Sequence, residues 1–464
     1  MASAATLTCR APDAQAELPH VVIFPFMAKS HTIPLTDLAH LLRRRQLATV
    51  TLLTTPGNDE FVRGALSGAD GVAVVELPPS TRCPRSRPFV DAVSLLRPRF
   101  EEALAAMRPP ASAVVADAFL HWAHAAAAAR GVRTLAFFGA NMFAHVVREV
   151  CLRENPAAVL TGGPSDAVFT VPEFPHVQLA LTDIPVPFND PATTGPIREM
   201  DAKLGRAIAD SHGFIVNTFD AMEGRYMEYW NRHVGPKAWP VGPLCLARPT
   251  AIKSIKPSWI QWLDEKKAAG RTVLYVALGT LVAVSDAQLR EVAGRLDQAG
   301  LDFLWVVRPA DADLGMGFEE HVQGRGKVVR EWVDQLAILQ HECVKGFLSH
   351  SGWNPVLESI SAGVPLAVWP MGAEQPLNAK LVIELKIGLR VSTKDDTASG
   401  LVRSKEIARV ARELMIRDEG AEASRNMASL AATARESLAE GGSSWAAAEE
   451  LIHTLRSESK RGAV

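Results

Sequence analysis

The side chains best suited to chemistry are concentrated in residues 332–375. Within this segment a predicted strand ends at Leu348, and His350, Ser351 and Gly352 lie between that strand and the start of a helix. A strand, a turn containing glycine and a helix start leave backbone N–H groups unpaired and direct the positive end of the helix dipole toward one point. That point suits a diphosphate, and a ring N–H of His350 is placed to reach a phosphate oxygen.

Side chains that suit the rest of a nucleotide sugar surround this turn. Glu358 lies four residues after Asn354, hence one helical turn further along the same face, where its carboxylate can accept hydrogen bonds from a ribose diol. Trp332 directly follows a predicted strand and offers a flat surface on which a nucleobase can stack. Glu374 and Gln375 follow another strand end, and their acceptors and donors suit the hydroxyls of a sugar.

Each of these residues alone has an ordinary structural explanation. A lone tryptophan usually belongs to a core, a lone histidine before a helix is usually a cap, and an acidic residue after a strand is usually solvated. Any single match of this kind is weak. The combination within one segment is what indicates a nucleotide-sugar site.

The composition narrows the classes of protein and of partner. A chain of 464 residues with 48% apolar content exceeds the roughly 250–300 residues that one core commonly holds, so we expect two domains. The formal charge of -2 and the scattered basic residues create no field that would recruit nucleic acid or an anionic membrane. We therefore expect no nucleic-acid partner.

Cysteine usage and hydropathy indicate the compartment. The five cysteines are odd in number, widely spread and free of any CxxC pair, which is typical of free thiols in a reducing compartment. The first twenty residues lack the apolar core of a signal peptide, and no stretch approaches the roughly 18 apolar residues of a membrane span. The sequence predicts a cytoplasmic protein without integral membrane association.

Short β-branched runs alternate with helical patterns in the first half of the chain, which predicts a parallel sheet covered by helices on both faces. The first strand, residues 21–26, is followed by a loop that holds His31 and then by a helix with Pro34 in its first turn. Further strands are predicted at residues 49–53, 72–77, 113–116, 133–137 and 213–216.

The same rhythm restarts after a segment rich in proline and glycine, which is typical of a linker. Strands are predicted at residues 272–278, 303–307, near 328, at 343–348 and at 366–369, and only helices follow. The predicted division is a Rossmann-like domain at residues 1–245, a linker at 246–258, a second Rossmann-like domain at 259–440, and a helix at 441–464 that returns toward the first domain. In open α/β sheets, ligands bind outside the carboxyl ends of the strands.

The 44 residues 332–375 closely resemble the signature box of plant UDP-dependent glycosyltransferases that act on secondary metabolites. The similarity extends over nearly the whole chain, through HVVIFPF followed by His31, VADAF, IVNTFDAMEG, PVGPL, VLYVALGT and FLWVVR. This resemblance implies a GT-B fold of two facing Rossmann-like domains, with the acceptor held by the first, the sugar nucleotide by the second, and reaction in the cleft between them.

The resemblance also implies roles for individual residues. The donor-binding residues carried over by position are Trp332 for uracil, Gln335 and Glu358 for ribose, His350, Asn354 and Thr280 for the diphosphate, Trp353 beside them, and Glu374 and Gln375 for the sugar. Glutamine at the last position of the box is associated with glucose in this family. The expected co-substrate is therefore UDP-glucose, and no cofactor is expected.

His31 occupies the position of the family's general base, and Asp117 matches its carboxylate partner. Formation of a glycoside from a hydroxyl needs a base, and a histidine that titrates near pH 6.5 suits this task. A carboxylate on the other ring nitrogen would stabilise the cation that forms. On local pattern alone, a loop histidine and an N-cap aspartate are equally good descriptions of these two residues.

The expected reaction is a direct displacement that inverts the anomeric centre and turns an α-linked donor into a β-glycoside. The charge of the leaving UDP would be stabilised by the helix start near Asn354 and by His350, so no metal is expected. The i, i+3 spacing of His121 and His124 could ligate zinc, but no third ligand is implied nearby, and histidines on a helix face are the better interpretation.

Three positions depart from the family pattern and leave alternatives open. Pro355 stands where most members have serine, Asp334 replaces a common proline, and Gly139 sits where many members place serine or threonine. The alternatives are a transferase that uses another UDP-sugar, a sugar-nucleotide epimerase, and a UDP-sugar or small-molecule binding protein without catalysis or with weak activity. The acceptor, phenolic or flavonoid-like by resemblance alone, would be a small lipophilic molecule, and the protein is expected to be a monomer.

Overall fold

The structure is a computed structural model that describes residues 18–78, 92–164, 166–190, 192–249, 256–279, 284–308, 311–392 and 404–461. Thr280, predicted to bind the diphosphate, lies outside these ranges.

The first half of the chain forms a parallel sheet of seven strands in the order β3-β2-β1-β4-β5-β8-β9, and β6 and β7 form a separate antiparallel pair. The strands are β1 (His20–Phe24), β2 (Thr49–Thr54), β3 (Val72–Glu76), β4 (Ala113–Asp117), β5 (Arg133–Phe137), β6 (Phe169–Thr170), β7 (Gln178–Leu179), β8 (Phe214–Val216) and β9 (Ala238–Pro240).

Helices cover both faces of this sheet. They are α1 (Lys29–Arg44), α2 (Pro56–Ala65), α3 (Arg97–Ala106), α4 (Ala123–Ala128), α5 (Met142–Glu154), α6 (Pro156–Leu160), α7 (Pro196–Ala209) and α8 (Asp220–His233). In β1, Val21 and Ile23 pack with α1, whereas Val22 and Phe24 pack against Phe100 on the other face. Burial on both faces explains why this strand has a continuous apolar sequence.

The second half repeats the architecture with a parallel sheet of six strands in the order β12-β11-β10-β13-β14-β15. Its strands are β10 (Val273–Ala277), β11 (Asp302–Val306), β12 (Gly326–Val329), β13 (Val344–Ser349), β14 (Leu366–Val368) and β15 (Gly388–Arg390). Its helices are α9 (Ser258–Ala268), α10 (Asp286–Ala299), α11 (Phe318–His321), α12 (Gln335–Leu339), α13 (Trp353–Ala362), α14 (Gln375–Glu384), α15 (Ser404–Ile416), α16 (Asp418–Leu438) and α17 (Ser443–Arg461).

The prediction of two doubly wound α/β sheets is confirmed. In each sheet the strand order reverses next to its first strand, between β1 and β4 in one and between β10 and β13 in the other. Such a switch point opens a crevice at the carboxyl ends of the strands, where ligands bind. The two halves therefore each provide one crevice for a ligand.

The prediction that His31 lies in a loop is wrong, because α1 begins at Lys29 and holds His31 in its first turn. Pro34 lies inside this helix and has no N–H to donate to the carbonyl of Ser30, which helical geometry would require. That carbonyl instead accepts a hydrogen bond of 2.6 Å from Asn354 Nδ2 in the second half of the molecule. The replacement donor explains how α1 tolerates the proline.

Four short strands, β6, β7, β9 and β15, were not predicted from the sequence. The prolines that give the segment after residue 239 the pattern of a linker include Pro240, which ends β9. Proline is tolerated there because β9 is an edge strand of its sheet. Strand β15 has three residues, too few for a recognisable alternation, and it forms the edge of the second sheet.

Helix α17, at the end of the chain, packs against the first sheet. Its buried apolar residues join a core with residues of β1, β2 and α1, and they are Ala447, Ala448, Leu451, Ile452 and Leu455. Ser444 Oγ donates to the Gly242 carbonyl over 2.6 Å, which fixes the start of the helix. Within the described ranges, no helix is long and apolar enough to cross a membrane.

We expect Leu451→Ala to destabilise the first domain, because Leu451 is 2% exposed and joins α17 to that domain's core. Truncation of a buried leucine costs about 2–5 kcal/mol, so the midpoint of urea-induced unfolding should fall. His453→Ala, at an exposed position of the same helix, is the control and should change stability by no more than about 0.5 kcal/mol. Equal effects of the two substitutions would contradict the described packing of α17.

Candidate active site

One cleft of about 2040 Å³ runs between the two sheets and is lined by residues from both. A pocket for a single small ligand typically has about 300–1,000 Å³. The cleft therefore has room for two ligands side by side. It opens at the carboxyl ends of the strands, next to both switch points.

His31 and Asp117 meet at the switch point of the first sheet. His31 Nδ1 lies 2.8 Å from Asp117 Oδ2, and Asp117 is 1% exposed. Asp117 is the last residue of β4, and its Oδ1 accepts a hydrogen bond of 3.0 Å from the Phe119 N–H. His31 follows β1, and β1 pairs with β4 in the sheet, so the two residues come into contact although they are 86 positions apart.

The surroundings of His31 are apolar except for carboxylates. The rings of Phe26 and Phe119 lie 5.3 and 5.1 Å from the imidazole, edge to face. Burial alone would lower the pKa of His31, but the charge and hydrogen bond of Asp117, together with the charge of Glu374, raise it above its ordinary value. Asp117 and Glu374 thus stabilise the protonated form of the His31 imidazole.

Glu374 reaches this pair from the second half of the molecule. It is the N-cap residue of α14, and its Oε1 accepts a hydrogen bond of 3.4 Å from Asn378 Nδ2. The same Nδ2 donates to the Ser351 carbonyl over 2.8 Å, and Asn141 Nδ2 donates to Asn378 Oδ1 over 3.0 Å. Asn378 therefore connects the loop of Glu374, the turn at Ser351 and the first domain.

The turn between β13 and α13 has the geometry of an anion site. Gly352 is the N-cap of α13, so the first N–H groups of the helix lie at the cleft without helical partners. Ser351 has φ of 67°, a left-handed conformation that costs a residue with a side chain energy and often marks a functional loop. A Cβ on Gly279 would lie 2.8 Å from His350 Nε2, so the backbone approaches the ring closely.

His350 differs from His31 in its surroundings. Burial lowers the pKa of His350 to about 4, and a hydrogen bond with the Ala277 carbonyl opposes the shift. The ring is therefore neutral at pH 7. Among the described residues, nothing pairs with His350 Nδ1.

Asn354 and Trp353, two predicted donor-binding residues, line the cleft and also tie its two sides together. Asn354 Nδ2 donates a hydrogen bond to the Ser30 carbonyl of the first domain. Trp353 is 2% exposed, and its indole N–H donates to the Asn217 carbonyl of the first domain over 2.8 Å. In this structure the first residues of α13 are therefore interdomain contacts.

Trp332 lines the cleft and is 44% exposed. Lys29 Nζ, from the start of α1, lies 3.9 Å from the centre of its ring system, and Phe61 contacts it edge to face at 6.2 Å. An exposed indole face at the edge of a cleft is suited to stacking with a flat ring.

Gln335 and Glu358 lie next to Trp332 and form one hydrogen-bonded unit. Gln335 Nε2 donates to Glu358 Oε2 over 2.7 Å, and Gln335 Oε1 accepts from the Tyr275 hydroxyl over 3.2 Å. Glu358 is 6% exposed and lines the cleft. The carboxylate is thus held in place before any ligand binds.

Gln375 is oriented by the backbone of its own loop. Its Oε1 accepts hydrogen bonds from the N–H groups of Met371 and Gly372, over 2.8 and 3.1 Å. Ala373, in the same loop, has φ of 50°, another left-handed residue beside the cleft. The loop therefore holds Glu374 and Gln375 in fixed positions.

Comparisons with known proteins agree with this geometry. A family model described as UDP-glucoronosyl and UDP-glucosyl transferase matches residues 251–413. UDP-glycosyltransferase 90A1 of Arabidopsis thaliana is 38% identical, over 96% of this chain and 98% of its own. UDP-glucose flavonoid 3-O-glucosyltransferase 7 of Fragaria ananassa is 32% identical, over 94% of this chain and 96% of its own. The chain belongs to the plant UDP-glycosyltransferase family.

Solved structures identify the fold of this UDP-glycosyltransferase as GT-B. Glycyrrhiza uralensis UGT73P12, complexed with glycyrrhetinic acid 3-O-monoglucuronide, matches with a TM-score of 0.84 and 26% identity, over 96% of this chain and 97% of that chain. Phytolacca americana UGT2, complexed with UDP-2fluoro-glucose and pterostilbene, matches with a TM-score of 0.77 and 29% identity, over 95% and 100%. The protein is an enzyme of this type, and its co-substrate is a UDP-sugar.

The UDP-glycosyltransferase accommodates its departures from the family pattern locally. Pro355 is the third residue of α13, where a missing N–H breaks no helical hydrogen bond. Asp334 is the N-cap of α12 and accepts from the Ala337 N–H over 3.2 Å. A Cβ on Gly139 would meet no atom within 4 Å.

Several residues of the site were not predicted from the sequence. Lys29 and Asn378 lie in helices, and Asp37 and Arg248, which contact each other beside Glu358, lie in a helix and in the predicted linker. A polar residue inside an amphipathic helix carries no local signal of its partner. Patterns near each residue alone could therefore not have revealed them.

The possible zinc pair at His121 and His124 is not part of a metal site in the described ranges, where no three histidine, cysteine or acidic side chains group to hold an ion. His124 Nδ1 instead pairs with the Thr134 hydroxyl.

We expect the His31 imidazole to titrate above pH 6.5 in the wild-type enzyme and at lower pH in Asp117→Asn. The substitution removes the charge and hydrogen bond that raise the pKa, while the burial that lowers it remains. The measurement is NMR of ring-labelled histidine, with His31→Gln to assign the signal. Asp201→Asn, which removes a carboxylate paired with Arg148 instead, should leave the titration in place. An unchanged pKa in Asp117→Asn would refute the coupling.

Proposed function

We propose that this enzyme transfers glucose from UDP-glucose to a hydroxyl of a small lipophilic acceptor, with inversion at the anomeric carbon. The observation that carries the proposal is the 2.8 Å contact between His31 and Asp117 in a cleft whose opposite side presents Glu374. The residues predicted to act on the proton and on the sugar thus approach each other from the two domains.

In the proposed reaction, the Nε2 atom of His31 takes the proton of the acceptor hydroxyl as the oxygen attacks the anomeric carbon. The new C–O bond forms while the bond to the UDP oxygen breaks, and UDP leaves with the electron pair. Asp117 stabilises the imidazolium that results, as the carboxylate does in other histidine-based sites. The proton then passes from His31 to solvent or to UDP when the products leave.

The departing diphosphate would lie at the start of α13. Unpaired N–H groups at a helix start stabilise developing negative charge without any rearrangement. His350 would contribute a hydrogen bond rather than a charge, because its ring is neutral at pH 7. Asn354, next to Trp353 at the start of α13, would complete the proposed diphosphate site, and Thr280 is assigned to this site by the family resemblance alone.

The other donor residues would bind the nucleoside and the sugar. Trp332 would stack on uracil. The carboxylate of Glu358, held in place by Gln335, would accept hydrogen bonds from the ribose hydroxyls. The Oε1 atom of Gln375 already accepts hydrogen bonds from the backbone of its own loop. This side chain would therefore donate from its NH₂ group to one sugar hydroxyl, and Glu374 would accept a hydrogen bond from another. Glucose as the donor sugar rests on the glutamine at position 375.

The acceptor would occupy the first-domain end of the cleft. Phe119 contacts His31, and further apolar residues of the first domain that line the cleft include Phe138, Phe188, Met200 and Leu204. Relatives named for flavonoid, anthocyanin and scopoletin glucosylation support a phenolic or flavonoid-like acceptor. Residues 1–245 would then be the acceptor domain and residues 259–440 the donor domain.

We also infer that the enzyme acts as a monomer in the cytoplasm, in secondary metabolism. Cys151, Cys245 and Cys343 are free and buried, which fits a reducing compartment.

The test is incubation with UDP-glucose and a panel of phenolic, flavonoid and terpenoid alcohols, with products identified by mass spectrometry and the anomeric configuration by NMR. We expect a β-hexoside, formed about 10²–10⁴-fold more slowly by His31→Ala because general-base catalysis is lost. His321→Ala, at an exposed position, should be fully active. UDP binding without transfer from any UDP-sugar would support the binding-protein alternative, and an active His31→Ala would exclude His31 as the base.

Pro355→Ser should strengthen UDP binding, because it adds a hydroxyl and a backbone N–H at the proposed diphosphate site. A hydrogen bond to a charged group contributes about 1.5–3 kcal/mol, or roughly tenfold and more in affinity. Calorimetric titration with UDP measures the change, and uridine, which lacks the diphosphate, should bind both proteins equally. Unchanged UDP affinity would place Pro355 away from the diphosphate.

A further inference from the structure

Arg248 lies between two buried carboxylates beside the proposed nucleoside site. Its Nε and Nη2 atoms donate to the two oxygens of Asp37 over 3.0 and 2.9 Å, and Nη2 lies 3.5 Å from Glu358 Oε1. Asp37 and Glu358 are 2% and 6% exposed. The guanidinium thus connects α1, the segment after β9 and α13.

The carboxylate of Glu358 is held from two sides. Arg248 lies next to Oε1 and Gln335 donates to Oε2, so the plane of the group is fixed while its face stays on the cleft. A carboxylate held in this way can accept hydrogen bonds from two vicinal hydroxyls without first reorganising. Loss of either partner would let the side chain rotate.

The protonation of Glu358 is influenced by Arg248 as well. Burial, with a smaller contribution from the charges of Asp37 and Asp334, raises the pKa of Glu358 above its ordinary value, and the charge of Arg248 and the hydrogen bond from Gln335 limit this rise. A buried carboxylate that loses its cation tends to bind a proton. The protonated acid would present an O–H donor where the ribose diol needs an acceptor.

We propose that Arg248 is a positioning residue of the UDP-sugar site, which holds the carboxylate of Glu358 in the orientation that the ribose diol needs. This inference rests on the proposed binding of ribose by Glu358. Arg248 itself is assigned no contact with the reacting atoms. Asp37 is the second anchor, because its bidentate contact fixes the guanidinium from the side of α1.

The proposal is tested by comparing the affinities of UDP and 2′-deoxy-UDP, measured by calorimetry. The wild-type enzyme should prefer UDP by about tenfold or more, because its charged acceptor meets the 2′-hydroxyl. Arg248→Met should lose most of this preference, and so should Glu358→Gln. In steady-state assays, Arg248→Met should raise the KM for the UDP-sugar and leave the KM for the acceptor unchanged.

Arg148→Met is the matched control, since Arg148 forms a bidentate pair with Asp201 at the acceptor end of the cleft, over 2.8 Å at both contacts. It should keep the preference for UDP. Arg248→Lys should recover part of the preference, because it restores the charge but not the planar fork. If Arg248→Met does not fold, two other variants replace it. One is Arg248→Lys. The other is the double variant Asp37→Asn with Arg248→Met, which removes both partners of the ion pair and so leaves no unpaired charge from it.

The outcomes separate this inference from the proposed function. The role of Arg248 would be overturned if Arg248→Met kept the wild-type preference for UDP over 2′-deoxy-UDP. It would also be overturned if neither Arg248→Lys nor the double variant reduced this preference. A wild-type enzyme that binds UDP and 2′-deoxy-UDP equally would overturn the ribose assignment of Glu358 and this inference with it. Neither result affects hexose transfer dependent on His31, which the product assay measures independently.

Discussion

Parallel strands bring all their carboxyl ends to one edge of a sheet, and this constraint decides where the polar groups of the cleft lie. His31 and Asp117 follow two neighbouring strands of the first sheet, and His350 follows a central strand of the second. Each set lies at a point where the strand order reverses, so that no crossing helix fills the space. When two such sheets face each other, the proposed base and the proposed diphosphate site face each other as well.

Helices α1 and α13 connect these two edges. Pro34 leaves the Ser30 carbonyl without a helical donor, and Asn354 supplies one from the other domain. Further along both helices, Arg248 connects Asp37 to Glu358. Helix α1, which carries the proposed base, is therefore connected to α13, which carries proposed donor residues, at two points along its length.

The sequence predicts the regular part of this arrangement well, because apolar runs and helical spacing are local properties. The buried strands and the two doubly wound sheets follow from such patterns, whereas the pairing of His31 with Asp117 is implied by the family resemblance and the order of the strands is seen only in the structure. The start of α1 could not be predicted, since Pro34 is tolerated only through a contact with Asn354, more than 300 positions away. Arg248 carried no signal, because the proline-rich pattern around it is that of a linker.

Three histidines among the described residues line the cleft, and their surroundings give them different properties. Burial lowers the pKa of His145 to about 3, with a further contribution from the charge of Arg148, and burial lowers that of His350 to about 4. Burial would also lower the pKa of His31, but Asp117 and Glu374 more than offset it. Proton transfer near neutral pH requires a group whose two charge states are close in free energy. Of the three, His31 meets this requirement, since carboxylates from both domains compensate its cation.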